Sequence, residues 1–188
     1  MKILKITFVI LLSLIGSQSF AQTKAHSEQF GNTLNLGVGI GYYSYIGYST
    51  PVLHADFEFN IAHNFTLAPF ITYYSYSNYN YWGSNNYTYK DYYYHETIVP
   101  MGVKGAYYFD ELLGTSPKWD LYLAGSLGFT LRNTTWDNGY YGDNTVKNEP
   151  GPLFLDLHIG TEYHISHKAG IFIDLSTGVS TLGLAVHF

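Results

Sequence analysis

The chain ends Thr181-Leu182-Gly183-Leu184-Ala185-Val186-His187-Phe188. Side chains of an extended strand alternate between two faces. Leu182, Leu184, Val186 and Phe188 therefore share one face, and Thr181, Gly183, Ala185 and His187 share the other. An apolar strand edge at a chain end promotes aggregation in a soluble sheet. The same edge is useful where the strand closes a barrel inside lipid, because its apolar side chains can then face outward.

Such a barrel requires the rest of the chain to alternate too. Residues 33–45 set Leu34, Leu36, Val38, Ile40 and Tyr42 against a row containing Gly37, Gly39 and Gly41. The glycine row suits a narrow interior. No helix pattern follows the Gly-x-Gly-x-Gly string, which excludes a phosphate-binding loop. Residues 52–61 set Leu53, Ala55, Phe57, Phe59 and Ile61 against His54, Asp56, Glu58 and Asn60. Further strands are predicted over 65–76, 94–109, 119–132, 153–165 and 170–176, with residues 181–188 as the eighth. Pro69 and Pro100 each remove a ladder donor, so a bulge or irregular pairing is expected at both. Residues 77–92 and 133–152 are rich in Tyr, Asn and Gly and read as long loops, the first with the option of extending the sheet.

The N-terminus places Lys2 and Lys5 before the apolar run 6–15, with small residues Ser19 and Ala21 flanking Phe20. This is the pattern of a secretory signal peptide, residues 1–21, removed after Ala21. The run is shorter than the roughly 20 apolar residues of a spanning helix. Residues 22–32 form a short lead-in and residues 33–188 one barrel domain. Removal of residues 1–21 from the 188 leaves seven Lys and Arg against 14 Asp and Glu, a net charge of −7. No basic patch remains, so nucleic acid is not expected as a partner. With no cysteine, neither a disulfide nor a lipid-modified cysteine is available. Only a closed barrel satisfies its backbone within lipid without helices.

Connection lengths agree. With the N-terminus in the periplasm, the connections 62–64, 110–118 and 166–169 are periplasmic and short, while the two long ones are external. The whole mature chain thus resembles the small eight-stranded outer-membrane β-barrels of the OmpA/OmpX type. The Tyr/Asn-rich loops and the ending Gly170-Ile171-Phe172-Ile173-Asp174 … Gly178 … Leu182-Gly183-Leu184 look like small porin-family barrel proteins of Bacteroidetes. The resemblance implies a bacterial outer-membrane location, a lipid environment and a monomer. It also implies that the C-terminal residues Leu184, Val186 and Phe188 are read by the barrel assembly machinery. The fold class expected is all-β: an eight-stranded antiparallel up-and-down transmembrane barrel.

A soluble lipocalin-like ligand-binding barrel would alternate in the same way with the apolar face inward. That inversion would bury carboxylates at several kcal/mol each if unpaired, so the apolar rows are assigned outward. Aromatics near strand ends, Tyr42, Tyr73, Phe109, Trp119, Tyr163 and Phe188, suit the two membrane interfaces. The lumen of an eight-stranded barrel is filled by side chains. Its inward charges are Glu58, Glu96, Lys104, Asp120, Arg132, Asp156 and Glu162. They are expected to pair in two clusters: Arg132 with Asp156 or Glu96, and Lys104 with Glu162, Glu58 or Asp120.

Inward histidines His54, His158 and His164 raise a metal reading. The last two, six residues apart on one strand, stand about 20 Å apart, and no metal or other cofactor is expected. Ser75, His95 and Asp91 could meet near the outer rim as an acyl-transfer site on lipid, but no sharp nucleophile turn supports it. The better candidates are the loop aromatics Tyr79, Tyr81, Trp82, Tyr87, Tyr89, Trp136, Tyr140 and Tyr141. Such side chains offer area and a hydrogen bond to a surface protein or glycan. The function expected is non-enzymatic: structural, or surface interaction through these loops.

Overall fold

The computed structural model describes residues 32–43, 48–116, 118–142 and 151–188. The expected signal peptide and most of the lead-in lie outside them. Eight strands follow one another: β1 (Thr33–Tyr43), β2 (Tyr48–Ala62), β3 (Phe65–Ser84), β4 (Tyr87–Tyr108), β5 (Trp119–Trp136), β6 (Leu153–Ser166), β7 (Ala169–Ser176) and β8 (Val179–His187). Each pairs antiparallel with the next, and β8 returns to β1, closing the barrel. At the closing seam Leu34 faces Val186, Leu36 faces Leu184 and Thr33 faces His187. Phe188 extends the seam by donating its backbone N–H to Asn32 O at 2.9 Å. A four-residue helix, α1 (Asp110–Leu113), lies in the connection from β4 to β5. Among the described residues no helix is long and apolar enough to cross a membrane.

The two faces of the sheet are sorted as the alternation requires. Leu155 and Leu184 are 66% and 58% exposed, whereas Lys104 and Asp156 are each 3% exposed. Apolar rows therefore point away from the axis, while the interior holds buried charges, hydroxyls and tyrosines together with a smaller set of apolar side chains such as Val52, Phe70, Ile98 and Phe172. This is the inverse of a soluble ligand-binding barrel. The outward aliphatic wall gains nothing from contact with water and is matched to hydrocarbon. Near the chain termini the wall ends in aromatics: Phe57 lies 4.8 Å from Phe59 and 6.1 Å from Phe188, and Trp119 lies 4.8 Å from Tyr163.

At both prolines the pairing is irregular, the second of the two expected outcomes, and no bulge forms. Register is unshifted through Pro69 and Pro100. Beside each, the ladder lapses for two residues on one side, between Phe57–Glu58 and Ala68–Pro69, and between Thr72–Tyr73 and Val99–Pro100. It then resumes in the same register. Proline lacks one donor and so affects only one neighbouring strand, while the other ladder holds the alignment. The register shifts fall elsewhere, at Asn60/Ala62, Trp82/Ser84 and His164/Ser166, each next to a tight turn. The first of these turns carries Asn64 at φ 56°, a conformation asparagine tolerates better than most residues.

The segment 77–92 is not a loop. β3 and β4 continue past the barrel wall, with β5 beside β4 as far as Tyr94↔Trp136 and then as a two-stranded ribbon paired from Tyr79↔Tyr93 to Trp82↔Lys90 and turned at 85–86. β5 likewise runs four residues beyond the predicted end, to Trp136. Cross-strand aromatic pairs supply the packing that a polar loop lacks.

Candidate functional site

The centre of the lumen is organised by Lys104, the only buried Lys or Arg among the described residues. Its Nζ donates to Asp56 Oδ2 at 2.8 Å and lies 3.6 Å from Glu58 Oε1. Asn35 Nδ2, across the β1–β2 pair, donates to Asp56 Oδ1 at 3.0 Å and Glu58 Oε1 at 2.9 Å. Thr66 and Tyr108 hydroxyls donate to Glu58 Oε2 at 2.9 and 2.7 Å. Two carboxylates thus share one ammonium, and neutral donors cover their remaining oxygens. A buried ion group is tolerated only with that coverage. His54 adds a contact from Nε2 to Asp56 Oδ2 at 3.0 Å. Beside this group, Tyr122 donates to Asp174 Oδ2 at 2.8 Å, and His158 Nδ1 lies 2.7 Å from Asp174 Oδ1.

Toward the ribbon end, Glu96 is fully buried and accepts from the hydroxyls of Tyr76 and Thr134. Arg132 Nε stands 3.7 Å from Glu96 Oε1. Asp156, the other partner expected for Arg132, is committed elsewhere. Its carboxylate accepts from the Ser176 and Thr177 hydroxyls and from the backbone N–H of Gly178 and Val179, capping the β7–β8 turn. At the terminus-bearing end, Asp120 and Glu162 do not reach Lys104. Asp120 Oδ2 lies 2.7 Å from His164 Nε2, and Glu162 Oε1 lies 2.8 Å from His187 Nε2. The inward side of each residue follows from parity. Its depth follows from register, which the turns and their bulges set. The sequence reading therefore missed Asp56, Asp174 and His187 as partners, although all three stand on inward rows.

The loop aromatics divide into two sets. Tyr79, Tyr81 and Tyr89 stand on the outer face of the ribbon at 58–64% exposure, joined by Tyr93. Tyr79 pairs with Tyr93, and Tyr81 with Tyr89, each at 6.0 Å between centroids. Tyr141 is also exposed. Trp82, Trp136 and Tyr140 are not free surface. Trp136 stacks on Tyr140 at 4.1 Å and 8°, Trp82 meets Tyr140 edge-on at 5.5 Å, and Tyr92 and Tyr94 complete the group. Trp82, Tyr92, Tyr94 and Trp136 share the inward parity of their strands, Tyr140 follows the end of β5, and Trp136 packs against the buried cluster of Val52, Tyr74, Tyr76, Tyr94, Ile98 and Val179. Tyr87 starts β4 opposite Ser84.

In comparisons with known proteins the chain matches no family model and no curated protein. Solved structures do match. Neisserial surface protein A superposes with a TM-score of 0.51 at 15% identity, covering 85% of this chain and 97% of that one. The fold is that of a small outer-membrane β-barrel. Looser likenesses include the attachment invasion locus protein Ail of Yersinia pestis, crystallised with the heparin analogue sucrose octasulfate (TM-score 0.46, 8% identity, 84% and 96% covered). Another is the N-terminal barrel domain of Pseudomonas aeruginosa OprF (TM-score 0.46, 10% identity, 85% and 99% covered).

On the outer wall of this outer-membrane-type barrel, Ser75 Oγ lies 2.6 Å from His95 Nε2. The third group on that imidazole is a hydroxyl, Ser77 Oγ at 2.9 Å from Nδ1. Asp91 pairs with Tyr81 in the ribbon, four residues or about 13 Å along the strand from His95. The triad Ser75–His95–Asp91 is not assembled, and among the described residues no carboxylate contacts His95 to stabilise an imidazolium.

Within the lumen, a cavity of about 10 Å³ lies among His54, Phe70, Phe154 and His158, room for about one water.

Proposed function

We propose that this chain is a bacterial outer-membrane protein with a closed, polar lumen and a non-enzymatic role in surface contact, exerted by the β3–β4 ribbon. The observation that carries the reading is the row of exposed tyrosines, Tyr79, Tyr81, Tyr89 and Tyr93, standing on a paired ribbon beyond the aliphatic wall. A rigid row of phenols loses little conformational entropy on binding and presents both apolar area and hydroxyls. It fits a surface protein or a glycan face. The wall itself supports residence in lipid, with the termini on the periplasmic side. A heat-dependent gel shift of the membrane fraction tests location, and planar-bilayer recording tests closure. The functional test is attachment of cells carrying the barrel with residues 79–93 replaced by a short turn. Lost attachment at unchanged surface level supports the ribbon, and unchanged attachment removes it.

A second reading, ester hydrolysis by Ser75 with His95 as base, rests on their 2.6 Å contact. Lipid hydrolysis by the detergent-solubilised barrel that disappears in His95→Ala would favour it.

A further inference from the structure

At the terminus-bearing end of the lumen, three residues from two strands converge. Glu162 and His164 are two apart on β6 and so share the inward face, and His187 is the penultimate residue of the chain, on β8. β7 lies between them, and its residue at this level is Gly170, paired with His164 on one side and Ala185 on the other. A Cβ at Gly170 would collide with Glu162 Oε1. The bare backbone there is what lets Glu162 reach across β7 to His187. All three residues are buried.

We propose that Glu162, His164 and His187 form a binding site for one divalent transition-metal ion of the zinc class. Their ligand atoms all lie within 4.8 Å of one another. His187 Nε2 is 2.8 Å and His164 Nδ1 3.4 Å from Glu162 Oε1. Ligand atoms bound tetrahedrally at about 2.0–2.1 Å stand about 3.3 Å apart, so small side-chain adjustments complete the set. The outer shell is the stronger argument. His164 turns its other nitrogen, Nε2, to Asp120 Oδ2 at 2.7 Å, and His187 turns Nδ1 to Thr33 Oγ1 at 2.9 Å. In the tautomers that carry a proton on His164 Nε2 and His187 Nδ1, His164 Nδ1 and His187 Nε2 turn their lone pairs toward the Glu162 carboxylate, the arrangement a bound ion would select; without an ion, His187 Nε2–H donates to Glu162 and Nδ1 accepts from Thr33. Imidazoles oriented in this way by a carboxylate and a hydroxyl are the usual second shell of a histidine-bound metal. Two histidines and one carboxylate leave a fourth position for water. Asp120, with its side chain 27% exposed, marks the way in from the terminal mouth.

The bound ion would tie β6 to β8 across β7. Because Thr33 is the register partner of His187, it would also brace the β1–β8 seam. Its role is to hold the barrel closed rather than to catalyse.

The test uses the refolded full barrel in detergent, stripped with chelator and titrated with zinc chloride by calorimetry. Cobalt is then added in parallel for its visible absorption. One ion per barrel, a tetrahedral cobalt spectrum and a higher unfolding temperature with zinc are expected. Glu162→Gln and His187→Gln should weaken binding more than tenfold, and Asp120→Asn about tenfold. The double variant His63→Ala/His167→Ala, which removes turn histidines, should bind as the parent does. No stoichiometric binding by the parent barrel, or binding lost with the turn histidines, would overturn the site. Should the His187 variant fail to fold, the parent's cobalt spectrum and the Glu162 variant still decide.

Discussion

The ring of Tyr122 lies over Gly160, its register partner on β6, and carries its hydroxyl past that strand to Asp174 on β7 at 2.8 Å. Gly160 has no space for a Cβ because the phenol occupies it. Gly160→Ala should displace the ring and lower the unfolding free energy by about 1–3 kcal/mol. Tyr122→Phe, which strips one donor from Asp174, should cost about 1–3 kcal/mol as well. Because both changes disturb one contact, the double variant should lose less than their sum. Urea titration of the detergent-refolded barrel measures all three.

Lys104 and Arg132 should differ sharply. Lys104→Met leaves Asp56 and Glu58 buried without their cation, a loss of about 3–5 kcal/mol. Adding Asp56→Asn and Glu58→Gln should recover part of it. Arg132 is partly exposed, and Glu96 keeps the Tyr76 and Thr134 hydroxyls without it. Arg132→Met should therefore cost about 1 kcal/mol or less. Equal losses at the two sites would contradict this ranking.

Replacing Tyr79, Tyr81, Tyr89 and Tyr93 with Ser should leave barrel stability within about 0.5 kcal/mol, since their rings touch one another and not the lumen. Trp136→Ala, which removes the ring stacked between Tyr94 and Tyr140, should cost about 2 kcal/mol. Heat-dependent gel migration across a temperature series separates the two outcomes.

Phe188 is 72% exposed and contributes one backbone hydrogen bond to the seam. Phe188→Ala should therefore refold in detergent like the parent, yet yield several-fold less folded protein in cells if the C-terminal residues are the assembly signal. Equal cellular yields would dismiss the signal.

By itself the sequence determined that eight strands exist and which side of each faces in. Both follow from period-two alternation, a local property that needs no partner strand. It carried Leu155 outward and Asp156 inward without reference to any other element. The tertiary structure alone decided depth: which inward residues share a level. Depth depends on the offset between strands, and one-residue shifts such as those at Asn60/Ala62 and His164/Ser166 propagate along each ladder. That is why Lys104 meets Asp56 rather than Asp120, why Asp156 caps a turn rather than pairing with Arg132, and why His187, far from His164 in the chain, comes to rest beside it. The ribbon was decided in the same way: composition left residues 77–92 open between a loop and an extension of the sheet, and cross-strand pairs such as Tyr79–Tyr93 hold them in the sheet.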